Sequence, residues 1–516
     1  MTAGHRVPGG YTVTTMTSRR WTRVPVLAIV LWATLLGCAP DSGQRPNVLL
    51  ITVDTLRPDR LGAYGYARAR TPNLDRLAAQ GALFEYAVTD TPWTTPSMSS
   101  VMTGNYATVH GFKSTNVNRL DPANQTLAEV LRSAGYATAA IVGSFPLDSV
   151  YQLDQGFDRY DDDFTTPIWT MPGHEFEHIE SEFFESPDDQ RFFTLSKALN
   201  DSRRTDAEVS DAALAWLADT PKQPFFLWVH YFGPHEKPDW RIAAERREDQ
   251  RIAAYDPDTA EMDRQVGRVL DAVDQRGLAD DTLVVFHADH GESLGEQGLV
   301  GHGQLLNAAT MRVPLILRYP ARIASGVRDA GLALNVDIFP TVLDAAGVSL
   351  AADHPGTSLL PRIGSFATRT WTKLADEWRG ERVAYMETYY PAHVAFATPV
   401  TLADGTATKI GLIRRGVQTR EWKFVRSDPH PLLDVSPGSL PAVPDALAAV
   451  VVREELYHLA ESGDARNVLE EHPDVAAELR AILRQHLDAE QSQEPAPSLD
   501  VDPEMKLRLE SLGYGE

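Results

Sequence analysis

Val48-Leu-Leu-Ile-Thr-Val53, followed at once by Asp54, is the stretch that decides the fold. It is a short uncharged run rich in β-branched residues, which fits a strand buried on both faces, as in parallel sheets. Three more runs have the same character: Thr138-Ala-Ala-Ile-Val142, Phe225-Phe-Leu-Trp-Val229 and Leu283-Val-Val-Phe286. Helical patterns lie between them. Thr126-Leu-Ala-Glu129 is a capping box, and its helix should stop at Gly135. Met262, Val266, Val269, Leu270 and Val273 recur on one helical face that ends at Gly277. Strands alternating with helices predict an open α/β sheet.

Beyond about residue 370 the texture changes. Thr401-Leu-Ala-Asp-Gly405-Thr-Ala-Thr carries a hairpin signal, and Glu421-Trp-Lys-Phe-Val425 alternates as a strand. An amphipathic helix follows from Asp474 to Leu487. Together they predict a small antiparallel sheet with one helix.

The 516 residues carry a formal charge of −23, and 43% are hydrophobic. That apolar share supports a large buried core and excludes general disorder. The acidic balance argues against nucleic acid as a partner, because phosphate backbones repel it. One cysteine excludes an internal disulfide and any zinc or iron–sulfur site built from cysteines.

That cysteine is Cys38. Arg19, Arg20 and Arg23 precede an apolar run from Val24 to Leu36, then Gly37-Cys38. This is the layout of a secretory signal, and Leu35-Leu36-Gly37-Cys38 resembles a bacterial lipobox. The expectation is an exported protein in the cell envelope, periplasmic or at the surface, tied to a membrane through lipid on Cys38. The expected organisation is a signal segment over 1–38, a tether over 39–45, a catalytic α/β domain over 46–370, a C-terminal α+β subdomain over 371–490 and a tail over 491–516.

Polar residues collect where strands end. Val53 is followed by Asp54, Val229 by His230, and Phe286 by His287-Ala-Asp289-His290. In open α/β sheets these carboxyl ends form the site, and an Asp with an Asp-His pair suits one divalent metal. Thr94-Thr95-Pro96 reads as a helix start with Thr95 at the N-cap, so Thr94 should sit just outside a helix N-terminus, where anionic oxygens are favoured. A metal there would make the hydroxyl a nucleophile. His174-Glu175-Phe-Glu-His178 matches the zinc-protease pattern H-E-x-x-H, but it has no apolar helical face and no third ligand at a familiar spacing. It reads as an exposed acidic turn of helix inside an insertion, Phe164–Arg204.

Several segments resemble the sulfatase family of the alkaline phosphatase superfamily. They are Arg45-Pro-Asn-Val-Leu-Leu-Ile-Thr-Val-Asp54-Thr-Leu-Arg57-Pro-Asp59, Thr71-Pro-Asn-Leu-Asp75, Thr103-Gly104, Gly156-Phe-Asp-Arg-Tyr-Asp161, Asp289-His-Gly-Glu292-Ser-Leu-Gly-Glu296 and Glu455-Leu-Tyr-His-Leu459. The resemblance runs from about Pro46 to about Leu487. It implies a mixed, mostly parallel sheet between helices, with a small C-terminal antiparallel sheet plus helix.

The departures from the family pattern are specific. Where sulfatases have the Cys or Ser that becomes formylglycine, this chain has Thr94, so no formylglycine is expected. The motif's arginine is Met98, a second acidic ligand is Thr55, an asparagine ligand is His290, and the later lysine is His302. The implied metal set is Asp54, Thr94, Asp289 and His290, with Zn²⁺ or Mn²⁺ favoured over Ca²⁺ by the imidazole. Thr94, His302 and His235 are the expected catalytic residues. Arg57, Lys113 and His230 are the expected substrate-binding residues, and Lys237 is a further source of positive charge. The expected activity is hydrolysis of a small-molecule, glycan or lipid sulfate ester. Two alternatives stay open: phosphodiester or phosphotransfer chemistry on a metal-bound threonine, and a non-catalytic anion- or glycan-binding lipoprotein.

Overall fold

The computed structural model describes residues 45–113, 118–164, 203–219, 224–235, 247–303, 305–349, 354–364, 382–389, 398–401, 407–430, 453–490, 497 and 502–511. In it the four apolar runs become neighbouring parallel strands: β1 (Asn47–Val53), β3 (Ala137–Val142), β5 (Phe225–Tyr231) and β6 (Thr282–Ala288). All seven residues of β1, β5 and β6 are buried, which accounts for runs without alternation. Outer strands complete a nine-stranded sheet: β2 (Ala82–Val88), β4 (Arg159–Asp161), β7 (Leu315–Arg318), β8 (Val327–Leu334) and the short Arg312–Val313. The order is β8-β2-β7-β6-β1-β5-β3-β4, with β7 antiparallel to both its neighbours. The sheet is thus mixed and mostly parallel, as expected.

Register does the positioning. Thr52 lies opposite both His230 and His287, and Val53 opposite Tyr231 and Ala288. The ends of β1, β5 and β6 are therefore level. A slip of one residue would turn every one of these side chains to the other face.

Helices cover the sheet: α1 (Pro72–Gln80), α2 (Thr94–Thr103), α3 (Leu127–Ser133), α4 (Asp206–Asp219), α5 (Glu248–Gln275) and α6 (Ile338–Ala346). The capping box before α3 forms: Glu129 N–H donates to Thr126 Oγ1 at 3.1 Å, and Thr126 N–H to Glu129 Oε2 at 2.8 Å. Gly135 follows at φ 90°. The apolar stripe of α5 is buried as expected, but the helix starts well before Met262 and carries Pro257 inside it. That amino-terminal extension matters below, because it bears Tyr255.

The C-terminal strands β9 (Ala384–Tyr389), β10 (Thr398–Thr401), β11 (Ala407–Gln418), β12 (Trp422–His430) and β13 (Arg453–His458) form an antiparallel sheet, with β10 and β11 as a hairpin. Helix α7 (Pro473–Glu490) packs Ala476, Leu479 and Leu483 against Phe424 and Leu456, in a cluster that also takes Val88, Tyr106 and Leu332. The small sheet and the main sheet therefore share apolar contacts.

The signal segment with Cys38, the tether over 39–44, the H-E-x-x-H run, nearly all of the Phe164–Arg204 insertion and Lys237 lie outside the described residues. Among the described residues no helix is long and apolar enough to cross a membrane.

Helix α2 ends at Gly104, at φ 68°, where an added Cβ would stand 2.8 Å from the Phe339 ring. Left-handed backbone and overpacking both penalise a side chain there. Gly104→Ala should lose about 2–4 kcal/mol in urea unfolding.

Candidate active site

Asp54 follows β1 directly, and its N–H donates to Tyr231 O at 2.9 Å, which ties it to the end of β5. The next residue, Thr55, has φ 54°, an uncommon conformation for a β-branched residue. Two groups hold it there. Thr55 N–H donates to Asp289 Oδ1 at 3.1 Å, and the Tyr255 hydroxyl on α5 donates to Thr55 O at 2.8 Å. The strained turn swings the chain away and leaves the Asp54 carboxylate at the sheet edge. Across the edge, Asp289 N–H reaches Val53 O, so Asp289 and His290 are fastened beside Asp54.

Ligand atoms of Asp54, Asp289 and His290 all lie within 4.8 Å of one another, and the three residues are fully buried. His290 Nε2 is 3.8 Å from Asp54 Oδ1 and 3.6 Å from Asp289 Oδ2. His290 Nδ1 lies 3.0 Å from Gly291 O. A carbonyl can only accept, so Nδ1 carries the hydrogen and Nε2 turns its lone pair to the carboxylates. Burial pushes the imidazole down to about 4, which keeps it neutral. Asp54 is pushed well above the carboxylate range by burial and then by repulsion from Asp289 and Glu292. Asp289 is raised by burial against the opposing pull of His290. Asp54 Oδ1 and Asp289 Oδ2 are buried and make no hydrogen bond among the described residues. Two such oxygens and one imidazole lone pair fit a divalent cation.

Thr94 joins this group. Its Oγ1 is 3.2 Å from His290 Nε2 and 3.5 Å from Asp54 Oδ2. The helix begins two residues earlier than the sequence suggests. Trp93 is the extended N-cap and Thr94 is the first helical residue, because Ser97 N–H already bonds Trp93 O. Pro96 still falls in the first turn, where its missing N–H costs nothing. Two hydroxyls anchor the helix: Ser97 Oγ donates to Asp289 O at 2.7 Å, and Thr95 Oγ1 to Pro146 O at 2.6 Å. Met98, at the position of the family arginine, is buried in the main core.

The other histidines form a chain of rings. His302 is 4.5 Å from His290 and 5.2 Å from His235, centroid to centroid, with Trp93 at 5.5 Å on its edge. Its Nδ1 lies 3.2 Å from Glu292 Oε1. Burial pushes His302 down to about 3. His235 stacks on Phe232 at 4.5 Å. His230 is fully buried, level with Thr52 and so two residues behind Asp54 on the same face of the sheet. The Trp228 indole N–H donates to Thr52 Oγ1 at 2.8 Å, and Thr52 Oγ1 is 2.8 Å from His230 Nδ1. Thr52 therefore accepts from the indole and spends its own hydrogen on Nδ1, which leaves His230 Nε2 as an N–H. That Nε2 is buried without a hydrogen bond among the described residues, and burial holds the ring neutral, down to about 3.

Two expected substrate cations have other company. Arg57 donates to both oxygens of Asp59, to Glu296 Oε1 and to Glu292 O, so its guanidinium braces the loop after β6 rather than facing an anion. Lys113 is lowered by burial and feels Glu387 and Arg415 of the C-terminal sheet. His110 accepts from Phe112 N–H at 3.1 Å and meets Ser100 Oγ at 3.0 Å, which ties it to its own loop and to α2. The sequence reading did not assign a role to Glu292, Trp93, Thr52 or Trp228. Only Glu292 carried a signal, its place two residues beyond His290 in the same motif.

Residues 46–348 match the sulfatase family model, and the chain belongs to that family, within the alkaline phosphatase superfamily. It is a hydrolase acting on ester bonds. Similar proteins include the N-acetylgalactosamine-6-sulfatase of Canis lupus familiaris, 28% identical over 65% of this chain and 69% of that one. The N-acetylglucosamine-6-O-sulfatase of Bacteroides thetaiotaomicron is 24% identical over 74% of this chain and 81% of that one. Among solved structures, the phosphonate monoester hydrolase of Silicibacter pomeroyi has the same fold, with TM-score 0.58 and 19% identity over 87% of this chain and 96% of that one.

Burial raises both Asp54 and Asp289, so protons compete with a cation for these carboxylates. Divalent-metal affinity should therefore weaken as pH falls, and binding should release protons. Calorimetry of the metal titration in two buffers of different ionisation enthalpy should give different heats, the gap measuring the protons released.

Proposed function

We propose that this chain is an exported, lipid-anchored hydrolase of sulfate esters that uses Thr94 as its nucleophile and one divalent cation, Zn²⁺ or Mn²⁺ before Ca²⁺. The observation that carries the reading is the placement of Thr94 Oγ1 against His290 and Asp54, at the first residue of a helix. A divalent cation held by Asp54, Asp289, His290 and Thr94 would lower the hydroxyl's pKa and offset charge on the ester.

In this mechanism Thr94 passes its proton to Nε2 of the neutral His302, and its Oγ attacks sulfur as the bond to the leaving oxygen breaks. His302 protonates the leaving oxygen, and Glu292 orients the imidazole and stabilises the imidazolium on the way. His235 contacts the anion. The neutral His230 Nε2–H, which already has its hydrogen, donates to a non-bridging oxygen without needing to ligate metal. Water then attacks the sulfuryl group, the Thr94 oxygen leaves and takes back a proton, and sulfate is released.

Phosphodiester cleavage is the second reading. A threonine nucleophile and an imidazole among the ligands favour it, whereas the loss of the family arginine to Met98 argues only against a doubly charged phosphate monoester.

Side-by-side hydrolysis of an aryl sulfate and a bis-aryl phosphodiester, with each metal, tests the assignment. Thr94→Ala should lower kcat at least a thousandfold with metal content retained. Undiminished sulfate turnover in that variant would rule out the nucleophile. Glu292→Gln should lose about ten- to a hundredfold in rate on alkyl sulfates, whose alcohols need a proton, and much less on nitrophenyl sulfate. An equal loss on both would remove Glu292 from the leaving-group step.

A further inference from the structure

Arg203 is the most unusual charge near the site. It is only 6% exposed, yet its guanidinium makes no hydrogen bond and no ion pair within 4 Å among the described residues, and its Nε is wholly enclosed. Buried arginines ordinarily meet a carboxylate, because an unpaired charge out of water is costly. The carboxylates that face it, Asp206 and Asp258, act only at longer range. Burial pushes Asp206 itself up to about 7, so it is a weak counter-ion at neutral pH. Arg203 responds to the same burial and is pushed down to about 10.

Its position relates it to the site. The Arg203 backbone pairs in an isolated antiparallel bridge with Ser144, two residues beyond the end of β3. Ser144 is fully buried, and its hydroxyl also has no partner among the described residues. Two residues on, Pro146 O accepts the Thr95 hydroxyl, so this loop abuts the start of the nucleophile helix. The Arg203 side chain places its Cζ 5.1 Å from the centroid of the Phe232 ring, which stacks on His235. The order from the nucleophile is thus Thr94, His290, His302, His235, Phe232, Arg203. This places the cation on the leaving-group side, beyond the histidines.

We propose that Arg203, with the Ser144 hydroxyl, forms a subsite for a second anionic group, a carboxylate or another sulfate, on the organic part of the ester. It rests on the leaving-group side being where His302 and His235 lie. The subsite makes the enzyme selective for substrates that carry a negative charge besides the one cleaved. It also gives a counter-ion to a guanidinium that has none among the described residues: the substrate supplies one.

The test compares phenyl sulfate with 3- and 4-carboxyphenyl sulfate on the full-length protein and on Arg203→Met, Arg203→Lys and Ser144→Ala. Wild type should favour a carboxylated ester in kcat/KM. Arg203→Met should reduce that preference by about ten- to a hundredfold, the range of a charge-assisted hydrogen bond, and Arg203→Lys should retain part of it. The melting temperature of Arg203→Met should be no lower than that of wild type, because an unpaired buried charge is removed. A preference unchanged in Arg203→Met, or equal loss on all three esters with a lowered melting temperature, overturns the subsite. Calorimetry of 4-hydroxybenzoate against phenol separates the two proposals. Preferential hydroxybenzoate binding that disappears in Arg203→Met, with no ester turned over, keeps the subsite and overturns the hydrolase mechanism. Turnover without any charge preference overturns the subsite alone.

Discussion

The structure depends on crowding two carboxylates and an imidazole into one fully buried corner. Nothing in the backbone makes that favourable: Asp54 and Asp289 repel each other, and both are desolvated. What enforces it is the level register of β1, β5 and β6, whose buried apolar residues pair rung by rung and cannot slip without exposing the core. The apolar sheet thus supplies the free energy that holds a polar site in a strained, cation-seeking state. Thr55 at positive φ, clamped by Tyr255 and Asp289, is a second deposit of strain at the same point.

Around that corner the hydrogen-bond directions are set before any substrate arrives. Gly291 O fixes His290 with its lone pair inward, whereas Thr52 and Trp228 fix His230 with its N–H outward. Two neighbouring histidines therefore present opposite chemistry, one suited to a cation and one to an oxyanion. His302 is a third case, a buried imidazole whose Nδ1 faces the Glu292 side chain. Such assignments come from the partners of each ring nitrogen, and residue type alone could not supply them.

Much of this was legible in the sequence. The four apolar runs gave the central strands, because burial on both faces leaves an unbroken signature. Asp54, Thr94, Asp289 and His290 were identifiable from strand ends and one helix start, and the structure brings them together. The rest was hidden for physical reasons. The bonds from Arg57 to Glu292 and Glu296 were not visible, because those residues lie more than two hundred positions away in the chain. The α2 boundary moved by two residues because Trp93, an unusual N-cap, gives no capping signal. Arg203 carried no motif. Its significance is the lack of a hydrogen-bonding partner among the described residues, which only packing can reveal.

The central claim is that Thr94 forms a covalent ester during turnover. The most direct measurement is mass spectrometry of the protein quenched in the steady state with a fast-leaving aryl sulfate, followed by peptide mapping. The account predicts one sulfuryl group on the peptide that carries Thr94, absent in Thr94→Ala. A sulfuryl group on another residue, or full turnover in Thr94→Ala with no adduct in either protein, would contradict it.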